Sequence, residues 1–332
     1  MIIDDMMSKR MERKGVVIVP APVLRNPSVE EFCGKNNLLI KDCSAVRTSG
    51  GFSSGTFKDY RSARLVNDFG ARNPALYSIV YTTAGHSLGN VADEYNQINE
   101  VAREDGVLAV SIIDEELDLR IQKVLERHSV LVRLPLQKKI FTRQEILEAA
   151  KTGIKDDKRD CIDAENYAFS YMHLAEEVVA EKPDAIFMPL GGGEAVNSLL
   201  YLLDELHRAG ENLPRLFAAT VGANIFAGDT APGACSIAEK LVTPWSELFE
   251  RIVRTLPEFG EVVVVEEDEI MPAYLALKKV GIKAEPSAAV AFAAARKTAI
   301  PSDKSVLVVN SGSGIYFDEN GVLRGVNDAS DA

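Results

Sequence analysis

The sequence predicts an α/β fold of two lobes, each a mostly parallel, twisted sheet flanked by helices. Three observations carry that expectation. Short β-branched runs alternate with longer segments of helical periodicity, the pattern of a parallel sheet covered on both faces. The alternation comes in two series, separated by the most polar stretch of the chain, residues 142–169. Glycine-rich joins stand where a strand hands over to a helix.

Taken in order, GVVIVPA (15–21) and NLLIKD (37–42) read as strands. LYSIVYTT (76–83) is another, followed by residues 84–106, where Leu88, Val91, Ala92 and Tyr95 recur at helical spacing. VLAVSII (107–113) is a strand, residues 114–128 a helix, and SVLVRLP (129–135) a strand. Residues 142–169, with a charge cluster at 155–160, read as a return crossing between the lobes. The second series runs strand 184–190, helix 194–210, strand 215–222, helix 245–256, strand 260–268 and helix 269–281. A small-residue helix at 285–299 follows, and SVLVVNSGSGIYF (305–317) is expected to close the sheet.

The chain has 332 residues, 46% hydrophobic and 26% charged, the composition of an ordinary globular protein of one large unit or two domains. Its formal charge of -12 repels a nucleic-acid backbone or an anionic membrane. No window approaches the roughly 18 uninterrupted apolar residues of a membrane span. The first fifteen residues put acids before bases and lack the apolar core of a signal peptide. Cys33, Cys43, Cys161 and Cys235 are scattered, with no ligand spacing to a histidine, so neither a metal site nor a disulfide framework is expected. The expected setting is the cytoplasm.

Three loops and one lysine carry chemistry. In FMPLGGGEAVNSLL (187–200), Gly191, Gly192 and Gly193 end a strand and open a helix, which aims backbone N–H groups and the positive helix end at one point. Neither a dinucleotide fingerprint nor a P-loop spacing is present, and alone such a triplet is more often just a tight turn. In TTAGHSLGN (82–90), the hydroxyls of Thr83 and Ser87 and the backbone of Ala84 and Gly85 suit either a carboxylate nest or a helix N-cap. Ser311 follows the buried strand in VVNSGSG (308–314), as a turn former or as a neutral partner for a ring nitrogen. Lys58, after the small residues of SGGFSSGTF, either belongs to a capped helix start or offers a reactive amine.

In this order the segments resemble the fold type II family of pyridoxal-phosphate (PLP) enzymes, with threonine synthase the most similar member. SSGTFKDYRSA is similar to the family's N-P-T-G-S-F-K-D-R-x-A element, and TAGHSLGNVA to its S-S-G-N-H-A-Q-G-V-A loop. MPLGGGEAVNS resembles the glycine-rich phosphate loop, EPSAAVAFAA the E-P-S/A-x-A-A helix, and NSGSG the S-G-G-N element. The resemblance spans residues 18 to 317. It implies a Schiff base on Lys58, phosphate binding by Gly191, Gly192, Gly193, Glu194 and Ala195, and Ser311 at the ring nitrogen. It also implies substrate-carboxylate binding by Thr83, Ala84, Gly85 and Ser87, and contact of His86 with the phenolic oxygen. Residues 15–70 and 165–325 would form the large cofactor domain and 71–164 a small mobile domain, usually in a homodimer.

Four departures fall around cofactor and substrate. His86 stands where the family has Asn, Glu194 where it has Gly and Tyr60 where it has Arg, while NYAFS (166–170) lies near the unrecognisable G-Q-x-T element. Glu194 puts an acid beside a dianion, so its side chain must turn outward, pair or protonate. An imidazole at position 86 would titrate near neutral pH, where an amide would not. A neutral Ser311 at the ring nitrogen favours elimination or replacement over transamination. The expected activity is elimination or replacement on a small hydroxy- or O-activated amino acid. Alternatives are a cysteine-synthase-like β-replacement and a PLP-binding regulator without turnover; an unrelated Rossmann dehydrogenase is disfavoured by its missing fingerprint.

Overall fold

The computed structural model describes residues 18–48, 56–58, 60, 61, 64, 77–82, 108–115, 119, 122, 123, 130–135, 143–154, 160–163, 169–228, 235–243, 246–313, 316, 317, 323 and 324. The strands are β1 Ile18–Val19, β2 Val23–Leu24, β3 Leu38–Asp42, β4 Arg47–Thr48, β5 Tyr77–Thr82, β6 Leu108–Asp114, β7 Val130–Leu134 and β8 Asp160–Asp163. They continue as β9 Ala185–Pro189, β10 Arg215–Val221, β11 Gly260–Val265, β12 Val306–Asn310, β13 Tyr316–Phe317 and β14 Leu323–Arg324. The helices used below are α1 Pro27–Cys33, α2 Arg143–Ile154, α3 Met172–Ala180, α4 Glu194–Arg208, α5 Phe249–Phe259, α6 Glu267–Lys279 and α7 Pro286–Lys297.

Six strands form the main sheet in the order β11-β10-β9-β12-β3-β2. All its pairings are parallel except the antiparallel edge β2–β3. A second, all-parallel sheet has the order β7-β6-β5-β8.

The main sheet has apolar side chains on both faces because strand side chains alternate. Along β9, Ile186 and Met188 point into one core with Leu307, Val309, Leu216 and Ala218, covered by α3, α4 and α5. Ala185 and Phe187 point into the other with Leu38, Ile40, Val306, Val308 and Phe217, covered by α1, α6 and α7. Phe187 and Phe217 face each other in register and stack with ring centroids 4.6 Å apart. Each buried side chain of that size contributes about 1.5–3 kcal/mol of hydrophobic stabilisation. Helix α7 is buried from Pro286 to Ala295, and its alanines let it lie close against the strands.

Two sequence expectations need correction. The strand 305–317 does not close the sheet: β12 lies in its interior, between β9 and β3, while Tyr316 and Phe317 pair with β14 in a separate ladder. The polar stretch 142–169 is not a bare crossing, because it contains α2 and β8. Helix α2 buries Ile146 and Ala150 against the second sheet, and β8 is that sheet's edge, where polar residues are tolerated. The helix expected at 84–106 lies outside the described residues.

Candidate cofactor site

The site lies beyond the carboxyl ends of the main sheet's strands, between β9 and β12. From β9 the chain winds outward through β10 to β11, whereas β12 lies on the other side. Such a switch in winding direction opens a crevice between neighbouring strand ends.

The glycine loop follows β9. Gly193 has φ +104°, a left-handed backbone that favours glycine, and a Cβ there would meet Ile252 Cδ1 at 2.5 Å. A Cβ on Gly191 would meet the Lys240 carbonyl at 3.1 Å, and one on Gly192 would meet Glu194 Oε1 at 2.9 Å. The loop's carbonyls are tied from behind: Ser246 Oγ donates to that of Gly192 at 2.6 Å, and Asn224 Nδ2 to that of Gly191 at 3.3 Å. In a planar peptide the N–H points opposite the carbonyl, so the amides of Gly192 and Gly193 face away from those ties. The result is a cradle of backbone donors opening on the N-terminus of α4. Ala195 is buried in the first turn of α4. The half-buried Glu194 turns back over the loop rather than outward, at the helix end where the dipole favours an acid.

The lysine segment meets the end of β12. Thr56 forms an antiparallel bridge with Gly312, and the Phe57 amide donates to the Ser311 carbonyl at 2.8 Å. Lys58 is therefore the next residue along from a direct tie to Ser311, which is itself buried. Thr56 Oγ1 accepts from the Lys58 amide at 3.2 Å, so the segment is a capped start as well as a lysine carrier. Lys58 is half-buried.

Behind Lys58, Tyr60 is fully buried. Its hydroxyl donates to Glu177 Oε2 at 2.5 Å and accepts from the Ala21 amide at 3.2 Å. Glu177 pairs with Lys41 at 2.7 Å, and Lys41 also donates to the Ala21 carbonyl at 2.7 Å. Burial, the field of Cys43, and Glu177's charge and hydrogen bond hold the phenol well above its usual range. The residue that departs from the family pattern thus anchors the helix start to α3 and β3.

The wall joining the two loops was missed in the sequence. The turn Glu239–Leu241 packs on Gly191, and the Lys240 ammonium forms an ion pair with Glu285, the N-cap of α7. The Glu285 amide donates in turn to the Gly312 carbonyl at 3.0 Å. Burial pushes the Lys240 amine down and the Glu285 carboxyl up, and each partner's charge opposes the other's shift. Beside them, burial raises the Glu239 carboxyl to about 7, against the lowering field of Lys240. The available signal was a lysine inside the otherwise unbroken segment SIAEKLV.

Thr83, Ala84, Gly85, His86 and Ser87 lie outside the described residues; β5 ends at Thr82. Among the described residues no group of three His, Cys, Asp or Glu could hold a metal ion, and no helix is long and apolar enough to cross a membrane.

A family model described as pyridoxal-phosphate dependent enzyme matches residues 153–312, which include the cradle, the Lys240 wall and Ser311. Over that region the chain is similar to that family, and its cofactor is pyridoxal phosphate. The backbone amides gathered at the start of α4 suit the phosphate group.

Solved structures share the fold over nearly the whole chain. Maize serine racemase is 18% identical, covering 94% of this chain and 92% of its own, with a TM-score of 0.69. Serine racemase from Dictyostelium discoideum is 22% identical over 94% and 97%, with a TM-score of 0.67. A fungal L-serine ammonia-lyase from Rhizomucor miehei is 17% identical over 90% and 95%, with a TM-score of 0.63. No curated protein matches the chain.

Proposed function

We propose that the protein is a PLP-dependent lyase or synthase, acting on a small hydroxy- or O-activated amino acid through Lys58. The observation that carries this reading is the Phe57–Ser311 tie, which sets Lys58 beside the β12 turn, one wall away from the glycine cradle. Similarity in fold to serine ammonia-lyase and threonine deaminase supports a β-hydroxy substrate. Elimination would release the β-hydroxyl as water and leave an enamine that tautomerises to an imine. A water then hydrolyses the imine, releasing the amine as ammonia and leaving a 2-oxo acid. A threonine-synthase-like replacement is the alternative outcome on an O-activated substrate.

Each residue has a role in that reading. The amides of Gly191–Gly193, with Glu194 and Ala195 at the helix start, bind the phosphate. The Lys58 amine holds the cofactor and moves the proton at the substrate α-carbon. Ser311 is the neutral partner of the ring nitrogen. Thr83, Ala84, Gly85 and Ser87 grip the substrate carboxylate, and His86 tunes the phenolic oxygen. The cofactor supplies the electron sink. Residues 71–164 act as the small mobile domain against 15–70 and 165–325, in a cytoplasmic homodimer.

Borohydride reduction of the PLP-loaded protein followed by peptide mapping should put the phosphopyridoxyl group on Lys58. An amino-acid panel read for 2-oxo acid, replacement product and inverted enantiomer should give 2-oxo acid or replacement product from a hydroxy or O-activated amino acid. A label on another lysine, or racemisation alone, overturns the assignment.

A further inference from the structure

Lys240 and Glu285 face each other in the crevice wall, with side-chain exposures of 6% and 5%. Both are held by their backbones. The Lys240 amide donates to Ser287 Oγ at 3.3 Å and its carbonyl lies against Gly191, while the Glu285 amide donates to Gly312. Their backbones are thereby joined to the cradle and to the Ser311 turn.

A second amine acts on this pair. The Lys58 segment is tied to Gly312 and Ser311 through Thr56 and Phe57, and the Glu285 amide donates to that same Gly312. Lys58 and Glu285 thus converge on one turn, where the charge of Lys58 works against that of Lys240 and favours that of Glu285. Glu239, from the same turn as Lys240, is the remaining charge that acts on the pair among the described residues. Its Oε1 is buried without a hydrogen-bond partner. The hydroxyls beside them, Ser287 and Ser311, are neutral.

We infer that Lys240 is a positioning residue that takes the Glu285 carboxylate as its own counter-ion, so that this carboxylate does not hold the Lys58 amine as an ammonium. The inference rests on the reading of Lys58 as the cofactor lysine. An amine bonds to an aldehyde carbon only when unprotonated. A carboxylate within a few ångströms would hold it protonated by about 1–3 pH units further than otherwise. With Lys240 in place the proton lies on one partner or the other, and either way the pair is neutral toward Lys58. Burial weakens both charged forms, which keeps that proton shared rather than surrendered.

The test uses the full chain incubated with PLP between about pH 6 and 10, a range around the ordinary lysine value, then reduced with borohydride. The label on Lys58 is quantified by peptide mapping, and the pH of half-maximal labelling is the readout. Lys240→Met should raise that midpoint by about one unit, as Lys58 becomes the carboxylate's only cation. Glu285→Gln should not raise it. The double variant Lys240→Met/Glu285→Gln leaves no orphaned charge and should return the midpoint to within about 0.3 units of the parent. If Lys240→Met does not fold, Lys240→Gln, which keeps a donor toward the carboxylate, should give the same rise.

A Lys58 label with an unmoved midpoint in the Lys240 variants overturns the inference. So does a rise that persists in the double variant, because Lys240 would then act other than through Glu285. Absence of label from Lys58 in the parent is a different result, and removes the reading of Lys58 along with the inference.

Discussion

Among the described residues two lysine–glutamate pairs are buried, and their surroundings differ. Lys41–Glu177 belongs to a closed ring with the Tyr60 hydroxyl and both backbone groups of Ala21. Lys240–Glu285 sits between two further charges, Lys58 and Glu239, neither of which completes it as a neutral ring would. A buried ion pair stabilises only when its remaining lone pairs and protons are satisfied. The first pair meets that condition and works as scaffolding. The second is poised to respond, since changing the charge of a neighbour shifts where its proton lies.

The sharpest way to break this contrast is to open the closed ring. Glu177→Ala leaves Lys41 buried opposite a phenol and should cost about 3–5 kcal/mol in urea unfolding. A loss below about 1 kcal/mol would mean that water replaces the carboxylate and the ring is not closed.

An intermediate effect is expected at the cradle. Gly193→Ala forces a side chain into a left-handed backbone and against Ile252, which should cost about 1–3 kcal/mol and loosen PLP retention on dialysis. Undiminished retention in a folded variant would detach the cradle from the cofactor.

The smallest effect distinguishes the two pairs by pH. Because the folded state raises the Glu239 carboxyl from 4.5 to about 7, it binds that proton more tightly than the unfolded chain. This contribution is complete below about 4.5 and is lost as pH rises through about 7. Glu239→Gln should flatten the unfolding free energy over that interval. An equal slope in the variant would assign the titration elsewhere.

How legible was all this in the sequence? The cradle was readable because the left-handed backbone of Gly193 favours glycine and Gly191 lies close against the Lys240 carbonyl, so the requirement is written in the residue type itself. Ser311 was readable as the hydroxyl that follows Asn310, where the apolar strand ends. The Lys240–Glu285 pair was not, because its partners belong to separate elements and meet only through the packing of α7 on the turn before α5. Tyr60 was noticed as a departure, but its ring of partners draws on β3, α3 and the chain before β2, which no local pattern reveals. Residues 142–169 misled because a half-covered helix and an edge strand can both be polar. The interior position of β12 was hidden because parallel strands carry no sign of their spatial order.

That position has a consequence for the nascent chain. β12 pairs in parallel with β9 on one side and β3 on the other, so the middle of the sheet is the last of its six strands to be synthesised. Leu38 through Asp42 must wait for Val306 through Asn310, on the order of 10–50 s at ordinary translation rates. During that interval the antiparallel β2–β3 pair and the β9–β10–β11 layer each carry a bare apolar edge and cannot be joined. A ribosome stalled before residue 305 would therefore hold two half-sheets open to chaperones or to pairing with a neighbouring chain.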